Sequence, residues 1–276
     1  VTSQPRLYAI LLTKDDADVI VEVVRHAATF CDKIIHLDHC STDGTWELMG
    51  EIEAEDPDRF VRMRQFDEPF YDGIRSEVYN AYRHELGDGW WMMLDSDEMM
   101  DSDPRPLLAA ATAAGDDAVL CWLAQFVFTT RDRRAWEAGL VDPTAPVTKR
   151  LRSYRVDWRE PRFFRNDPDL AWEDPDIRLP RPDSAWSFHR RHPVLRHYQF
   201  RSPDQIQHRL DVRRERFRHV TAQSWTEEVK PAWKYSTYRD RPIRTTGVWH
   251  YARRVRQMIQ TRLGRRSPGS GVKKSG

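Results

Sequence analysis

Cysteine is scarce in this chain. Cys31, Cys40 and Cys121 are the only three in 276 residues. Odd in number and widely spaced, they form neither a disulfide framework nor a paired zinc-binding pattern. Glycine is sparse too, at 12 residues, and Thr13–Asp18, just after the first apolar run, contains none. A glycine-rich loop cradling phosphate is therefore not expected there. No stretch approaches the roughly 20 apolar residues that a membrane span needs. Val1–Pro5 does not pair a basic segment with an apolar one, so a secretory leader is not expected and a cytoplasmic location is. A dominant sign of charge is missing as well, with 44 Lys and Arg against 43 Asp and Glu. The balance hides an asymmetry: residues 1–120 hold 26 acids and 10 bases, whereas residues 121–276 hold 17 acids and 34 bases. With 39% hydrophobic and 11% aromatic residues, the chain can bury a substantial core. Its length suits one α/β domain, with or without an appendage.

Residues 1–130 alternate strand-like and helix-like segments. Leu7–Thr13, Lys33–Leu37, Phe60–Phe66, Trp90–Leu94 and Ala118–Thr129 are apolar runs of strand length. Between them, Asp16–Phe30, Thr45–Glu55, Ile74–Leu86 and Pro104–Ala114 carry apolar residues at helical spacing, and Gly87 marks the end of the third helix. Strands alternating with helices predict a mostly parallel sheet covered on both faces. From residue 131 the chain is rich in Arg, Trp and Pro and less regular, with short strands expected at Val147–Tyr154 and Pro161–Arg165. Ser202-Pro203-Asp204-Gln205 reads as a helix start running to about Phe217, because a capping Ser is followed by Pro at the first helical position and Gln three residues after the cap. A last helix is expected near Val248–Leu263, followed by a disordered Gly/Ser/Lys/Arg tail over 264–276. Trp90, Trp91 and Trp122 are expected in the core. Trp158, Trp172 and Trp186 are expected to pack as core or cover, or else to stack on a ligand.

Three acidic groups follow the first, second and fourth strands: Thr13-Lys14-Asp15-Asp16, Asp38-His39-Cys40-Ser41-Thr42-Asp43-Gly44-Thr45, and Asp95-Ser96-Asp97-Glu98. Ligands bind beyond the carboxyl ends of strands in such sheets. Carboxylates gathered on one rim repel each other unless a cation or a hydrogen-bonding ligand compensates. Oxygen donors favour Mg²⁺ or Mn²⁺, which complete their shells with phosphates, so the pattern points to a nucleotide. Asp43 and Gly44 are expected to make a tight turn rather than touch a ligand.

These residues resemble a family-2-type glycosyltransferase of the GT-A fold. The resemblance rests on Leu11–Ile20, on the string Asp38–Thr45, and on Trp91–Glu98, which looks like the strand leading into an Asp-x-Asp motif. It covers roughly residues 6–130 and fades afterwards. It implies a mostly parallel central sheet flanked by helices, in which residues 1–130 bind nucleotide-sugar. In the same domain, residues 131–263 form a less regular acceptor region with C-terminal helices. By the resemblance, Asp38 would hydrogen-bond the nucleobase, Thr13 and Asp16 would flank base or ribose, and Asp95 would contact ribose or metal. Ser96 lies within that motif among the donor-binding residues, and Asp97 would ligate Mn²⁺ or Mg²⁺. Arg75 lies where the family often has Arg-Asn before a helix, although Ser76 replaces the Asn here. The family's acidic couplet suggests Glu173 or Asp174 as the base, with Glu160 and Asp169 as competitors. A C-terminal histidine of the family suggests His197 at the metal or phosphate, with His189 and His192 as alternatives.

The implied reaction is metal-dependent, inverting transfer of a sugar from a nucleotide-diphosphate sugar, UDP-sugar first. The acceptor would be a hydroxyl of a saccharide, lipid-linked precursor, natural product or peptide. A lipid-linked acceptor would bring the protein to a membrane surface, with no integral membrane segment. Two rivals stand beside this reading. The basic residues of Arg209–Arg218 and the tail would suit a nucleic-acid binder, but the acidic half would repel phosphate backbones and no nucleic-acid motif occurs, so no nucleic-acid partner is expected. A sugar nucleotidyltransferase on a similar fold normally starts with the glycine-rich loop that is lacking here.

Overall fold

The computed structural model describes residues 4–174, 176–216, 224–243 and 245. The helix expected at Val248–Leu263 and the tail at 264–276 lie outside them. Strand β1 (Leu7–Thr13) is buried along its whole length and pairs in parallel with both β2 (Lys33–Asp38) and β4 (Trp90–Asp95). Its alternation sorts the core into two layers. Leu7, Ala9 and Leu11 face the side packed by helices α1 (Ile20–Ala27) and α2 (Thr45–Glu55), whereas Tyr8, Ile10 and Leu12 face α3 (Ser76–Leu86). Strand β3 (Phe60–Gln65) adds to β2 in parallel. The first helix begins later than its apolar spacing suggests, because residues 16–19 form a turn whose Asp16 carbonyl accepts from both Val19 and Ile20.

In the second half, β6 (Ala118–Val127) and β7 (Ser153–Arg165) form a long antiparallel pair. Strand β7 also lies antiparallel to β4, so one sheet runs through both halves in the order β3-β2-β1-β4-β7-β6-β8-β5. Here β5 is Glu98–Met100 and β8 is Val194–His197; the short β9 (Ser236–Thr237) pairs with β7 outside this path. Helix α4 (Arg105–Ala113) precedes β6. Helix α5 (Thr130–Glu137) follows it behind a Thr129/Asp132 capping box.

The expected strand over Val147–Tyr154 is not formed. Val147–Arg150 is a short helix, α6, and extended structure begins only at Ser153. The cause is remote, since the Glu22 carboxylate accepts from the Val147 amide at 2.7 Å and from Thr148, satisfying the orphan donors of that helical turn. Pro161–Arg165 is the end of β7 rather than a separate strand. Helix α7 (Pro203–Arg216) forms as its start signal predicts, and α8 (Trp225–Glu228) follows. Trp90, Trp91, Trp172 and Trp186 are buried. Trp122 is partly exposed beneath the Arg159 guanidinium. No described helix is long and apolar enough to cross a membrane.

Candidate functional site

At the carboxyl ends of β1 and β4 the chain closes around a cavity of about 650 Å³. Its wall combines the acids Asp15, Asp16, Asp95 and Asp97 with the cations Lys14, Arg75, Arg178 and Arg209. His39, Pro69 and Phe70 supply a less charged side. The His39 ring stacks on Phe66 with centroids 4.6 Å apart. Helix α7 covers one flank through Gln205, His208, Arg209 and Val212, residues spaced by three and four so that they share a helix face.

The rim is built from interlocked loops. Asp15 takes a left-handed backbone conformation, φ 53°, and its carboxylate receives the Thr42 amide at 2.8 Å and His208 Nε2 at 3.0 Å. Asp43 accepts from the Thr45 amide and hydroxyl and from the Ala17 amide, while Gly44 sits at φ 97°. The Ser-Thr-Asp-Gly-Thr string is thus a turn that clamps the loop after β1 to the start of α2. Thr45 Oγ1 completes the clamp by accepting from the Asp16 amide at 2.9 Å.

Asp38, expected at the nucleobase, is fully buried and does not line the cavity. Oδ1 accepts from Thr13 Oγ1 and Ser41 Oγ, each at 2.6 Å, and Oδ2 from the Ser41 amide and Gln65 Nε2, each at 2.8 Å. Burial pushes its pKa up, but these hydrogen bonds outweigh burial and hold it low. All four acceptor positions are used. Asp38 ties β1, β2 and β3 together beneath the site. Thr13 lines the cavity but spends its proton on Asp38, so His36 Nε2–H donates to Thr13 Oγ1 at 2.8 Å.

Asp95 reaches Arg75 at 2.5 Å and Arg162 at 3.3 Å. Burial alone would raise its pKa, but the two guanidiniums hold it near 2. Ser96 donates to Asp16, whose other oxygen meets Arg201 at 2.7 Å. Asp97 is buried with Oδ1 at 3.1 Å from His197 Nε2 and Oδ2 at 3.3 Å from Arg209. Burial pushes Asp97 up, but His197, Arg209 and Arg201 hold it far below the usual carboxylate range. Reciprocally, burial would lower the His197 pKa, but Asp97 raises it. The sheet brings this pair together. The antiparallel β5–β8 register sets Glu98 opposite His197, and the Tyr198 amide donates to the Asp97 carbonyl at 2.8 Å.

Among the described residues, no three His, Cys, Asp or Glu side chains converge as a cage for a metal. A hard cation with phosphate ligands needs only one or two protein donors. Asp97 and His197 meet that condition, because neighbouring ligands of an octahedral ion with bonds of about 2.1 Å stand about 3 Å apart. Asp95 fits less well, with both oxygens committed to arginines.

Glu173 and Asp174 are exposed on the loop after β7 and do not line the cavity, although Arg178 of the same loop does. Asp169 is exposed, and Glu160 is held between Arg162 and Arg178 at 3.2 and 2.9 Å. His189 pairs with Asp116 at 2.7 Å and His192 with Arg159 at 2.6 Å; neither lines the cavity. Sequence reasoning missed Arg162, Arg201, Arg209 and His208. Only the last two left a trace, the polar i, i+3/i+4 spacing on α7 that begins at Gln205.

No family model matches this sequence, and no curated protein does. The chain is similar to a number of solved structures, among them the following three. Residues 1–349 of S. aureus TarS in complex with UDP share 18% identity with a TM-score of 0.34, covering 44% of this chain and 36% of that one. The mannosyltransferase PcManGT from Pyrobaculum calidifontis, in complex with GDP-Man and Mn²⁺, shares 19% at a TM-score of 0.34, covering 49% and 39%. GalNAc-T7 with UDP, GalNAc and Mn²⁺ shares 10% at a TM-score of 0.42, covering 72% and 44%. The chain thus spans 36–44% of the length of these solved chains.

Proposed function

We propose that this protein is a glycosyltransferase that moves a sugar from a nucleotide-diphosphate sugar, UDP-sugar first, to an acceptor hydroxyl. The observation that carries the reading is the cavity at the carboxyl ends of β1 and β4, where Asp97 and His197 stand among Arg75, Arg178, Arg209 and Lys14. Four cations around one cavity suit a diphosphate. The less charged, partly aromatic wall of His39, Pro69 and Phe70 suits a nucleobase. Mn²⁺ or Mg²⁺ would be held by Asp97 and His197, and when bound it neutralises charge on the diphosphate. Arg75 holds Asp95 in place, and Arg209 is free to exchange Asp97 for a phosphate oxygen as ligand enters.

Transfer with inversion in one displacement needs a carboxylate that takes the acceptor proton as the new bond forms. Of the cavity acids, Asp15, Asp95 and Asp97 are held low, against their burial, by the cations and amides they accept from, which makes them poor bases. Asp16, although burial raises its pKa, has both oxygens engaged by Arg201 and Ser96. Asp174 or Glu173 is the proposed base. The couplet is exposed on the loop that brings Arg178 to the cavity, so it can approach the acceptor side. The acceptor is a hydroxyl on a saccharide, lipid-linked precursor, natural product or peptide.

A melting-temperature panel of nucleoside diphosphates with and without Mn²⁺, followed by donor hydrolysis, tests the reading. We expect UDP with Mn²⁺ to raise the melting temperature and Asp97→Ala to abolish both that rise and hydrolysis. Full metal-dependent turnover by Asp97→Ala would sink the assignment. Asp174→Asn or Glu173→Gln is expected to lower transfer at least a hundredfold while leaving the UDP-induced rise intact.

A further inference from the structure

Among the described residues, Oε1 and Nε2 of Gln125 and Nδ1 of His197 are buried without a hydrogen-bond partner. Gln125 belongs to β6 and stands directly opposite His197 in the parallel β6–β8 register. Residues opposite each other on neighbouring strands present their side chains to the same face, with the strands about 4.8 Å apart. Gln125 is fully buried, and its same-face neighbours along β6, Leu123 and Val127, are apolar and buried. An unpaired buried polar group is destabilising because it loses its bonds to water and gains none. A leucine or methionine would fill this position at lower cost, so the amide calls for an explanation in what it serves.

His197 supplies one. Its Nε2 faces Asp97, which leaves Nδ1 as the ring's inner pole. The ring carries a hydrogen on Nδ1 in two states, as the imidazolium paired with Asp97 and as a neutral ring offering its Nε2 lone pair to a cation. Both states need an acceptor beside the ring, and the strand register places two there, Glu98 on β5 and Gln125 on β6. The Glu98 oxygens are taken by Arg162 and the Asp95 amide, which leaves the Gln125 amide oxygen. The terminal amide torsion of glutamine is broad and two-fold, so the amide can present its oxygen to the neighbouring strand without a backbone change.

We infer that Gln125 is a positioning residue for His197, whose amide oxygen receives the Nδ1–H and so fixes the ring with Nε2 toward Asp97. The effect on metal affinity rests on the proposed function above; the effect on the ring does not. Partners behind a metal-ligating histidine typically change metal affinity by 10–100-fold when removed.

The test compares the wild-type chain with Gln125→Met, which keeps volume and removes both polar atoms. Mn²⁺ binding in the presence of UDP is followed by electron paramagnetic resonance, and the His197 ring by ¹⁵N NMR. We expect Gln125→Met to bind Mn²⁺ at least tenfold more weakly and to lose the hydrogen-bonded Nδ1–H signal of His197, with a melting temperature unchanged or higher. A merely structural glutamine would instead lower the melting temperature and leave the ring signal alone. Unchanged Mn²⁺ affinity together with an unchanged ring signal would overturn the inference. If the wild type itself binds no Mn²⁺ with UDP, the metal reading of the site fails, and the ring signal alone decides for or against Gln125. Should Gln125→Met not fold, the wild-type spectrum decides: an Nδ1 without a hydrogen bond overturns the inference.

Discussion

Asp97 and His197 meet at 3.1 Å because two strands fix them, not because two flexible side chains find each other. Asp97 ends the turn between β4 and β5, and His197 ends β8, which pairs with β5. A pair held by register is preorganised, and rigid elements position functional groups better than loops do. His197→Ala is therefore expected to remove most of the melting-temperature rise produced by UDP with Mn²⁺, while leaving the fold intact. A variant that retained the full rise would show that His197 takes no part in binding.

Arg201 predicts a different outcome. It is fully buried, meets Asp16 at 2.7 Å and Asp18 at 2.6 Å, and donates to the Tyr198 carbonyl at 3.1 Å. Removing one partner of a buried pair leaves the other charge uncompensated, a loss of about 3–5 kcal/mol. Burial already pushes the Asp16 pKa up against Arg201. Arg201→Met should thus lower unfolding free energy in urea by about that amount. Arg201→Met with Asp16→Asn should recover part of it, because the stranded charge is gone. Equal losses in the single and double variants would contradict this account.

The first half of the fold was legible because its elements are local. The apolar runs at Leu7–Thr13 and Trp90–Leu94 have strand length, and Ser41–Thr45 is a turn by composition alone. What escaped was long-range. Val147–Arg150 is helical because Glu22 caps it from 125 residues away. Arg201 answers Asp16 across 185 residues, a distance over which no spacing rule operates. Asp38 shows a subtler limit. A carboxylate at a strand end reads as a rim group facing ligand, but Thr13, Ser41 and Gln65 converge on it from three segments and turn it into scaffold. The choice of His197 was legible only through resemblance and through its place before a capped helix. Its register against Glu98 could not be read.

The saturation of Asp38 leads to a prediction of its own. An asparagine there would aim its NH₂ donors at hydrogens that the carboxylate now accepts, leaving at least one buried donor unpaired. Asp38→Asn should cost about 1–3 kcal/mol in denaturant unfolding. The preference among UDP, GDP and dTDP, read as relative melting-temperature rises, should stay as in the wild type. A changed nucleotide preference with unaltered stability would put Asp38 at the base after all.

Buried His36 should cost stability in acid, as should His26, against the opposite contribution of Glu98, whose burial raises its pKa to about 8. Burial lowers the pKa of the His36 ring from 6.5 to about 4, with Asp38 opposing and Arg62 adding to the effect. The folded protein therefore keeps His36 neutral while the unfolded chain binds a proton below pH 6.5. Its contribution is fully present above pH 6.5 and is lost progressively as pH falls toward 4. At pH 5 the loss is about 2 kcal/mol from this one residue. The carboxylate Asp95 acts in a separate window. Arg162 and Arg75 outweigh its burial and hold it near 2, so its contribution is lost only between about pH 4 and 2. Unfolding free energies measured at pH 7.5, 6, 5 and 4 for wild type and His36→Asn isolate the His36 contribution. Between pH 7.5 and 5 the wild type should change by about 2 kcal/mol more toward instability than the variant. Equal pH dependence in the two proteins would show that the buried ring does not limit stability in acid.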